Sequence, residues 1–187
     1  MDVIEAIKTR RSVRAWSNQN IPDDILQKIL EAGRWSPSPL NSQPWHFIVI
    51  REKSTIEELC VNAKEGAYLK NSNVCIVFTV EKQNVNNATN EVHAELVAWL
   101  NKHDQFTYSA SCALENMWLT AWGLGIGGVW VTVDDPSTRL ILNIPETQVI
   151  IGSLALGYPL GSPIPHREQD RKPLSEMVFF EKFGIKK

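Results

Sequence analysis

The sequence predicts a sheet covered by helices, of the α/β or α+β class, and three observations carry that expectation. Residues 73–80, NVCIVFTV, barely alternate between apolar and polar, as a strand buried on both faces does. Residues 109–123, SASCALENMWLTAWG, are apolar around much of a helical circumference, which marks a central core helix. Around these two, the patterns follow in the order helix, helix, strand, helix, strand, helix, helix, strand, helix, strand.

Each element has a local reason. Asp2 can cap a first helix running to about Arg10. Ile21, Pro22, Asp23 and Asp24 read as a second helix start, with proline in the first turn and acids set against the dipole. Ile25, Leu26, Ile29 and Leu30 give that helix its buried face, and Gly33 is its expected stop. A proline-broken loop, SPSPLNSQPW, leads into a strand at 46–50. Ser54 with Glu57 makes a capping-box pattern for a third helix. Residues 82–90 (KQNVNNATN) are polar and read as a mobile loop, followed by helices over about 91–103 and 107–122. GVWVTV (128–133) and QVIIGSLALGY (148–158) are strands separated by a short helix after Pro136. The tail from Pro163 to Lys187 is polar, then aromatic at Phe179, Phe180 and Phe183, and such a segment needs something to pack on.

A length of 187 residues fits one domain over 1–187, which buries roughly 70% of its unfolded surface. The composition, 43% apolar and 21% charged, is that of a globular chain, and the net charge of -2 gives no bulk attraction to nucleic acid or an anionic membrane. No apolar run approaches a membrane span, and the N-terminus lacks the zones of a signal peptide. Cys60, Cys75 and Cys112 form no CxxC pair, so neither a zinc site nor a disulfide framework is indicated. The expectation is three buried thiols in a reducing, cytoplasmic compartment.

GLGIGG at 123–128 formally satisfies the dinucleotide pattern GxGxxG. That fingerprint needs a strand before the glycines and a helix after them, so that pyrophosphate meets a helix N-terminus. Here the helix comes first and the strand second, so the glycines terminate a helix and permit a tight turn.

Two stretches carry more chemistry. In KTRRSVRAW, Arg10, Arg11 and Arg14 crowd around Ser12. One arginine at a helix C-terminus complements the dipole by roughly 0.3–1 kcal/mol. Three with a serine exceed that need and suit a phosphate dianion, which arginine grips through paired N–H groups. In SPSPLNSQPW, Pro37, Pro39 and Pro44 stiffen the backbone while Ser38, Asn41, Ser42 and Gln43 offer donors and acceptors. Such a loop either recognises a flat, hydrogen-bonding ligand or satisfies its own backbone. QDRKP (169–173) taken alone is a solvated basic pair, Arg171 and Lys172.

In order along the chain, these stretches resemble the FMN-dependent nitroreductases. The match comprises Arg10, Arg11, Ser12 and Arg14, then Pro37, Ser38, Asn41, Gln43, Pro44 and Trp45. The LGIGG helix end, ALGYP (155–159) and RKPLSEMV (171–178) also fit. The resemblance implies an α+β homodimer with a mostly antiparallel sheet, a C-terminal extension exchanged between subunits, and two FMN sites at the interface. Arg10, Ser12, Arg14 and Arg171 would hold the phosphate and ribityl chain. Pro37, Ser38, Pro39 and Asn41 would reach the flavin from the other subunit, with Gln43 in the same loop. Backbone around Trp130, Val131 and Thr132 would pass beside the ring. Arg11 belongs to the set but is the arginine least expected to touch the ligand.

The implied reaction takes electrons from NAD(P)H through FMN to nitroaromatic, quinone or similar flat acceptors, in two half-reactions at one site. The chemistry rests on the cofactor, so no side chain is assigned as catalytic acid or base and no metal is expected. Three departures from the family pattern stand out: Gln169 where some members have lysine, Thr132 and Val131 where certain branches have glycine and an acid, and a short 82–106 segment. Trp99, Phe106 and Tyr108 are candidates for the acceptor pocket or for the core. Alternatives are a flavin-binding sensor or store without turnover, and a specialised member performing dehalogenation or flavin destruction.

Overall fold

The computed structural model describes residues 1–63, 65–81, 89–133, 135–161 and 171–186. It has an α+β architecture whose centre is an antiparallel sheet of β1 (Trp45–Ile50), β2 (Val74–Glu81), β3 (Gly127–Val131) and β4 (Gln148–Gly157). The strands lie in the order β1-β2-β4-β3. Helices α1 (Val3–Thr9), α2 (Asp23–Arg34), α4 (Glu91–Lys102) and α5 (Gln105–Gly123), with α3 (Lys53–Asn62), α6 (Asp135–Leu142) and α7 (Leu174–Met177), complete the chain.

β2 shows why the sheet sits where it does. Its residues from Val74 to Val80 are all buried. Val74, Ile76 and Phe78 pack with Leu26 and Ile29 of α2 and Leu114, Met117 and Ala121 of α5. Cys75 and Val77, one pleat over, pack with Ile56 and Leu59 of α3 and with Ile144. Alternation is therefore present in space, but both faces are covered and the sequence does not display it. Each full burial of a Val, Ile or Phe contributes roughly 1.5–3 kcal/mol, so β2 is the apolar keel of the fold. A bulge between Phe78 and Thr79 lies opposite Gly152, whose φ of +141° and closeness to the Trp130 indole make any larger residue strained there.

α5 runs through the middle of the α2 side and buries nine residues, from Phe106 to Trp122. Its end bears out the reading of GLGIGG. Ile126 N–H donates to the Ala121 carbonyl at 2.8 Å and Gly125 N–H to the Trp122 carbonyl at 3.0 Å, with Gly125 at φ +80°. This is a Schellman closure, in which a left-handed glycine satisfies the orphan carbonyls and turns the chain into β3.

Local signals elsewhere were displaced. Asp2 caps α1 as expected, accepting from Glu5 N–H at 2.9 Å. The Ser54–Glu57 capping box does not form, because α3 begins at Lys53 with Glu52 as its N-cap, two residues before Ser54. Gly33 does not stop α2: it lies inside the helix, where a Cβ would strike the Met117 side chain, so its role is close packing of α2 on α5. Phe106 is buried core rather than pocket wall. On α1 the apolar side chains Val3, Ile4 and Ile7 are exposed. The tail forms a short helix, α7, in its exposed part; residues 163–170, including Gln169, and most of 82–90 lie outside the described residues. No helix among the described residues is long and apolar enough to cross a membrane.

The expectation of three buried thiols holds only in part, because Cys112 is exposed while Cys75 is fully buried. Burial pushes the Cys75 thiol up to about 12, against the smaller opposing effect of its hydrogen bond with Ser153. Because the folded value lies above the ordinary 9.0, this thiol's contribution to stability is complete below that value and is lost as pH rises toward 12. Alkylation of the native protein at pH 8, read by peptide mass spectrometry, is expected to label Cys112 and spare Cys75 until denaturant is added.

Candidate functional site

The arginine cluster resolves into three separate environments. After α1 the chain runs beside the sheet: Val13 N–H donates to the Gly128 carbonyl at 2.9 Å, and Ser17 N–H to that of Tyr158 at 2.8 Å. Approach this close requires Gly127, since a Cβ there would meet the Val13 side chain. Val13 is buried, leaving Ser12 half-buried and Arg14 exposed along the extended segment.

Arg11 turns back over α1. Its Nη1 donates to the carbonyls of Lys8, Thr9 and Arg10 at 3.0, 2.9 and 2.9 Å, so it caps the helix C-terminus. This is the dipole role that one arginine could fill, and it takes Arg11's Nη1 away from any ligand. Arg10 lies 4.0 Å over the Trp118 ring with its Nε 3.5 Å from the Glu115 carboxylate. Arg14 sits 4.8 Å over the Tyr68 ring, and its only hydrogen bond among the described residues is a long one of 3.4 Å to the Ser12 carbonyl. Among the described residues Arg14 has no carboxylate partner. The like charges tolerate one another because two are neutralised locally, and the third points outward.

The proline-serine loop is held from two sides. At the end of α2, Glu31 binds Arg34 and accepts from the Trp35 indole at 2.7 Å. Hydrogen bonds from Arg34, then from Trp35, hold its carboxyl down to about 2. On the other side, Asn116 of α5 donates to the Ser36 hydroxyl at 2.7 Å. Within the loop, the Gln43 N–H donates to the Ser38 hydroxyl at 2.9 Å and the Gln43 amide to the Asn41 carbonyl at 3.3 Å. Gln43 thus closes the loop on itself. Leu40, Asn41 and Gln43 all have positive φ (56°, 52° and 46°), and such backbone costs roughly 1–3 kcal/mol per residue unless its surroundings enforce it. The strained turn presents Pro37, Leu40 and Asn41 at the surface, with Pro39 half-buried beneath them. The Ser42 hydroxyl is buried without a hydrogen-bond partner among the described residues.

The remaining predicted residues divide. Trp130 is half-buried beside Gly152, and Thr132 is exposed just past β3. Val131 contributes no side chain to a site, because it is buried against the α3 side and its carbonyl accepts from the Ser153 hydroxyl at 3.1 Å. Arg171 is exposed at the start of the last described segment. Glu115, Asn116 and Trp118 were missed, although Glu115 is the only charged residue in SASCALENMWLTAWG, a signal legible in the sequence. These residues make α5 the shared mount: Glu115 faces the arginines while Asn116, about 100° further round the helix, faces the loop. Among the described residues no group of three or more His, Cys, Asp or Glu could hold a metal ion.

The fold and this arrangement define a class, and comparison with known proteins places the chain in it. The nitroreductase family model matches residues 7–158, and the chain belongs to that family of oxidoreductases. A protein of Methanothermobacter thermautotrophicus, provisionally named an NADH dehydrogenase/NAD(P)H nitroreductase, is 32% identical over 169 residues, covering 87% of this chain and 80% of its own. A protein of Desulfovibrio desulfuricans, provisionally described as a nitroreductase and solved in complex with FMN, superposes with a TM-score of 0.75 at 28% identity, covering 98% of each chain. Iodotyrosine deiodinase 1 of Sus scrofa is 25% identical over 198 residues, covering 93% of this chain and 66% of its own.

Replacing Asn116 with alanine removes the donor to a buried hydroxyl, and a cost of about 1–3 kcal/mol in urea unfolding is expected. The double variant Asn116→Ala/Ser36→Ala is expected to lose clearly less than the sum of the two single changes.

Proposed function

We propose that the chain binds FMN and is an oxidoreductase that uses it to move electrons from NADH or NADPH to nitroaromatic, quinone or similar flat acceptors. The observation that carries this reading is Arg14: a guanidinium beside Ser12, braced on Tyr68, with no carboxylate partner among the described residues. Arginine is suited to phosphate because it donates paired N–H bonds in a plane, and it stays charged at every physiological pH. Arg10 adds a second positive charge held in orientation by Glu115 and Trp118, while Arg11 serves the helix. Bound FMN would supply the redox chemistry, taking hydride in one half-reaction and releasing electrons to the acceptor in the other.

The protein's share is then to bind, orient and exclude. Arg10, Ser12 and Arg14, with Arg171 from the tail, would grip the phosphate end. Pro37, Ser38, Pro39 and Asn41 would form a rigid wall for the flat ring, and the backbone from Trp130 to Thr132 would border it. Arg10 and the loop are held on different sides of α5, in keeping with a site shared between two copies of the chain. A homodimer is favoured further by apolar surface that one copy leaves uncovered. Ile7 of α1 is 53% exposed and Phe183 of the tail 92% exposed, and Val3, Ile4, Leu174 and Met177 are exposed as well. Exchange of the C-terminal extension would cover much of this surface.

Arg14→Ala is expected to weaken FMN binding by about tenfold to a hundredfold, read by quenching of flavin fluorescence on titration. Anaerobic mixing of the flavin-loaded protein with NADH or NADPH is expected to bleach the flavin, and oxidation by a quinone or nitroaromatic to restore it. Flavin that binds but never bleaches would replace this reading with a sensor or store. Restoration only by a halogenated acceptor would favour a dehalogenase, the reaction named in the deiodinase relative.

A further inference from the structure

A cavity of about 190 Å³ lies away from the residues assigned to the flavin, where the chain before α2, the β1–α3 junction and the turn into β2 converge. That is an order of magnitude more than the ~10–15 Å³ one water needs. Asn18 and Asn20 line one side, Arg51 and Lys53 a second, and Asn71 and Ser72 a third. We propose that this cavity binds a small metabolite carrying an oxyanion, a phosphate or carboxylate, together with hydroxyl or amide groups.

Four observations carry the proposal. Ser72 is only 6% exposed, yet its buried hydroxyl has no hydrogen-bond partner among the described residues; Oδ1 of Asn73, which also lines the cavity, is buried and likewise unpartnered among them. Buried polar groups left in this state destabilise a fold unless something in the cavity meets them. α3, ten residues long, begins at Lys53 without a side-chain cap from Glu52, so its first-turn N–H groups are open to an anion. Two cations stand at that end. Arg51 is fixed by Asp23 at 2.9 Å and by the Ile21 carbonyl at 3.1 Å, while Lys53 has no carboxylate partner among the described residues. Lastly, the side chains of Asn18, Asn20 and Asn71 make no hydrogen bond among the described residues, and each amide can both donate and accept. Glu57, one turn further along α3, is the single acid in the lining. It repels an anion from its own end and offers an acceptor to a ligand hydroxyl or amide, which sets a direction for the bound molecule.

The experiment is a residue-resolved ¹H–¹⁵N titration of the full chain with excess FMN present. Inorganic phosphate, glycerol 3-phosphate and acetate are added in separate arms at ionic strength held constant with sodium chloride. Saturable shifts are expected at the amides of Lys53, Ser54 and Thr55 and at the side-chain amides of Asn20 and Asn71, with glycerol 3-phosphate binding more tightly than phosphate. Saturation by acetate instead assigns the oxyanion to a carboxylate, and saturation by either phosphate compound assigns it to a phosphate. Lys53→Ala is expected to weaken binding about tenfold. The exposed change Asn20→Ala, which leaves the core intact, is expected to weaken it severalfold. Shifts that rise linearly as with sodium chloride, shifts confined to 10–14, or affinity unchanged in both variants would overturn the proposal. A chain that takes up no flavin would overturn the flavin reading alone, because Arg51, Lys53 and Ser72 belong to neither the phosphate grip nor the loop.

Discussion

The constraint on which the structure depends is the burial of α5. A helix of 19 residues that is apolar around most of its circumference cannot lie on a surface, and the chain meets this by wrapping it. α2 packs along it, with Gly33 allowing Met117 to approach, and the α2 side of the sheet closes beneath it. α1 is tied to it by the Trp122 indole, which donates to the Thr9 hydroxyl at 2.9 Å. The few polar groups that α5 carries are therefore scarce and committed. Glu115 goes to Arg10 and Asn116 to Ser36, and each fixes one of the two stretches through which the chain would meet a cofactor.

Function on this account is a by-product of packing that has been made exact at two points. The arginine segment is extended because it bonds to the sheet, and Arg14 is left outward because Val13 must go inward. The proline-serine loop keeps three left-handed residues because Asn116, the Glu31 cluster and the Ser38–Gln43 bond over-determine it. Rigidity of that kind suits the binding of a flat ring, which gains little from a wall that must first be ordered.

Much of this was legible in the sequence. The two buried elements announced the fold: NVCIVFTV falls within a residue of β2 and the helix expected over about 107–122 within two of α5, and the glycines at its end terminate it as their order required. Long, strongly patterned segments are legible because many residues report the same environment. What failed were single-residue inferences. Ser54 and Glu57 had the spacing of a capping box, but the N-cap falls two residues earlier, at Glu52. Gly33 looked like a terminator and was a contact. The three arginines were recognised as a group, but their division among helix cap, indole stack and outward charge depends on α1, α5 and Tyr68, which are remote in sequence. Val131 was expected beside the ring through its backbone alone, and its side chain follows the pleat to the α3 face.

The mounting of both stretches on α5 has a mechanical consequence. Ala110, Ala113 and Ala121 let the sheet and its neighbours lie close against this helix, and none of the three is exposed. Enlarging one of them would push the helix aside as a rigid rod, carrying Glu115 and Asn116 together and detuning cationic clamp and proline wall in one movement. In the proposed flavin site, variation in ligand preference would thus be freest at the rim and most restricted along this axle.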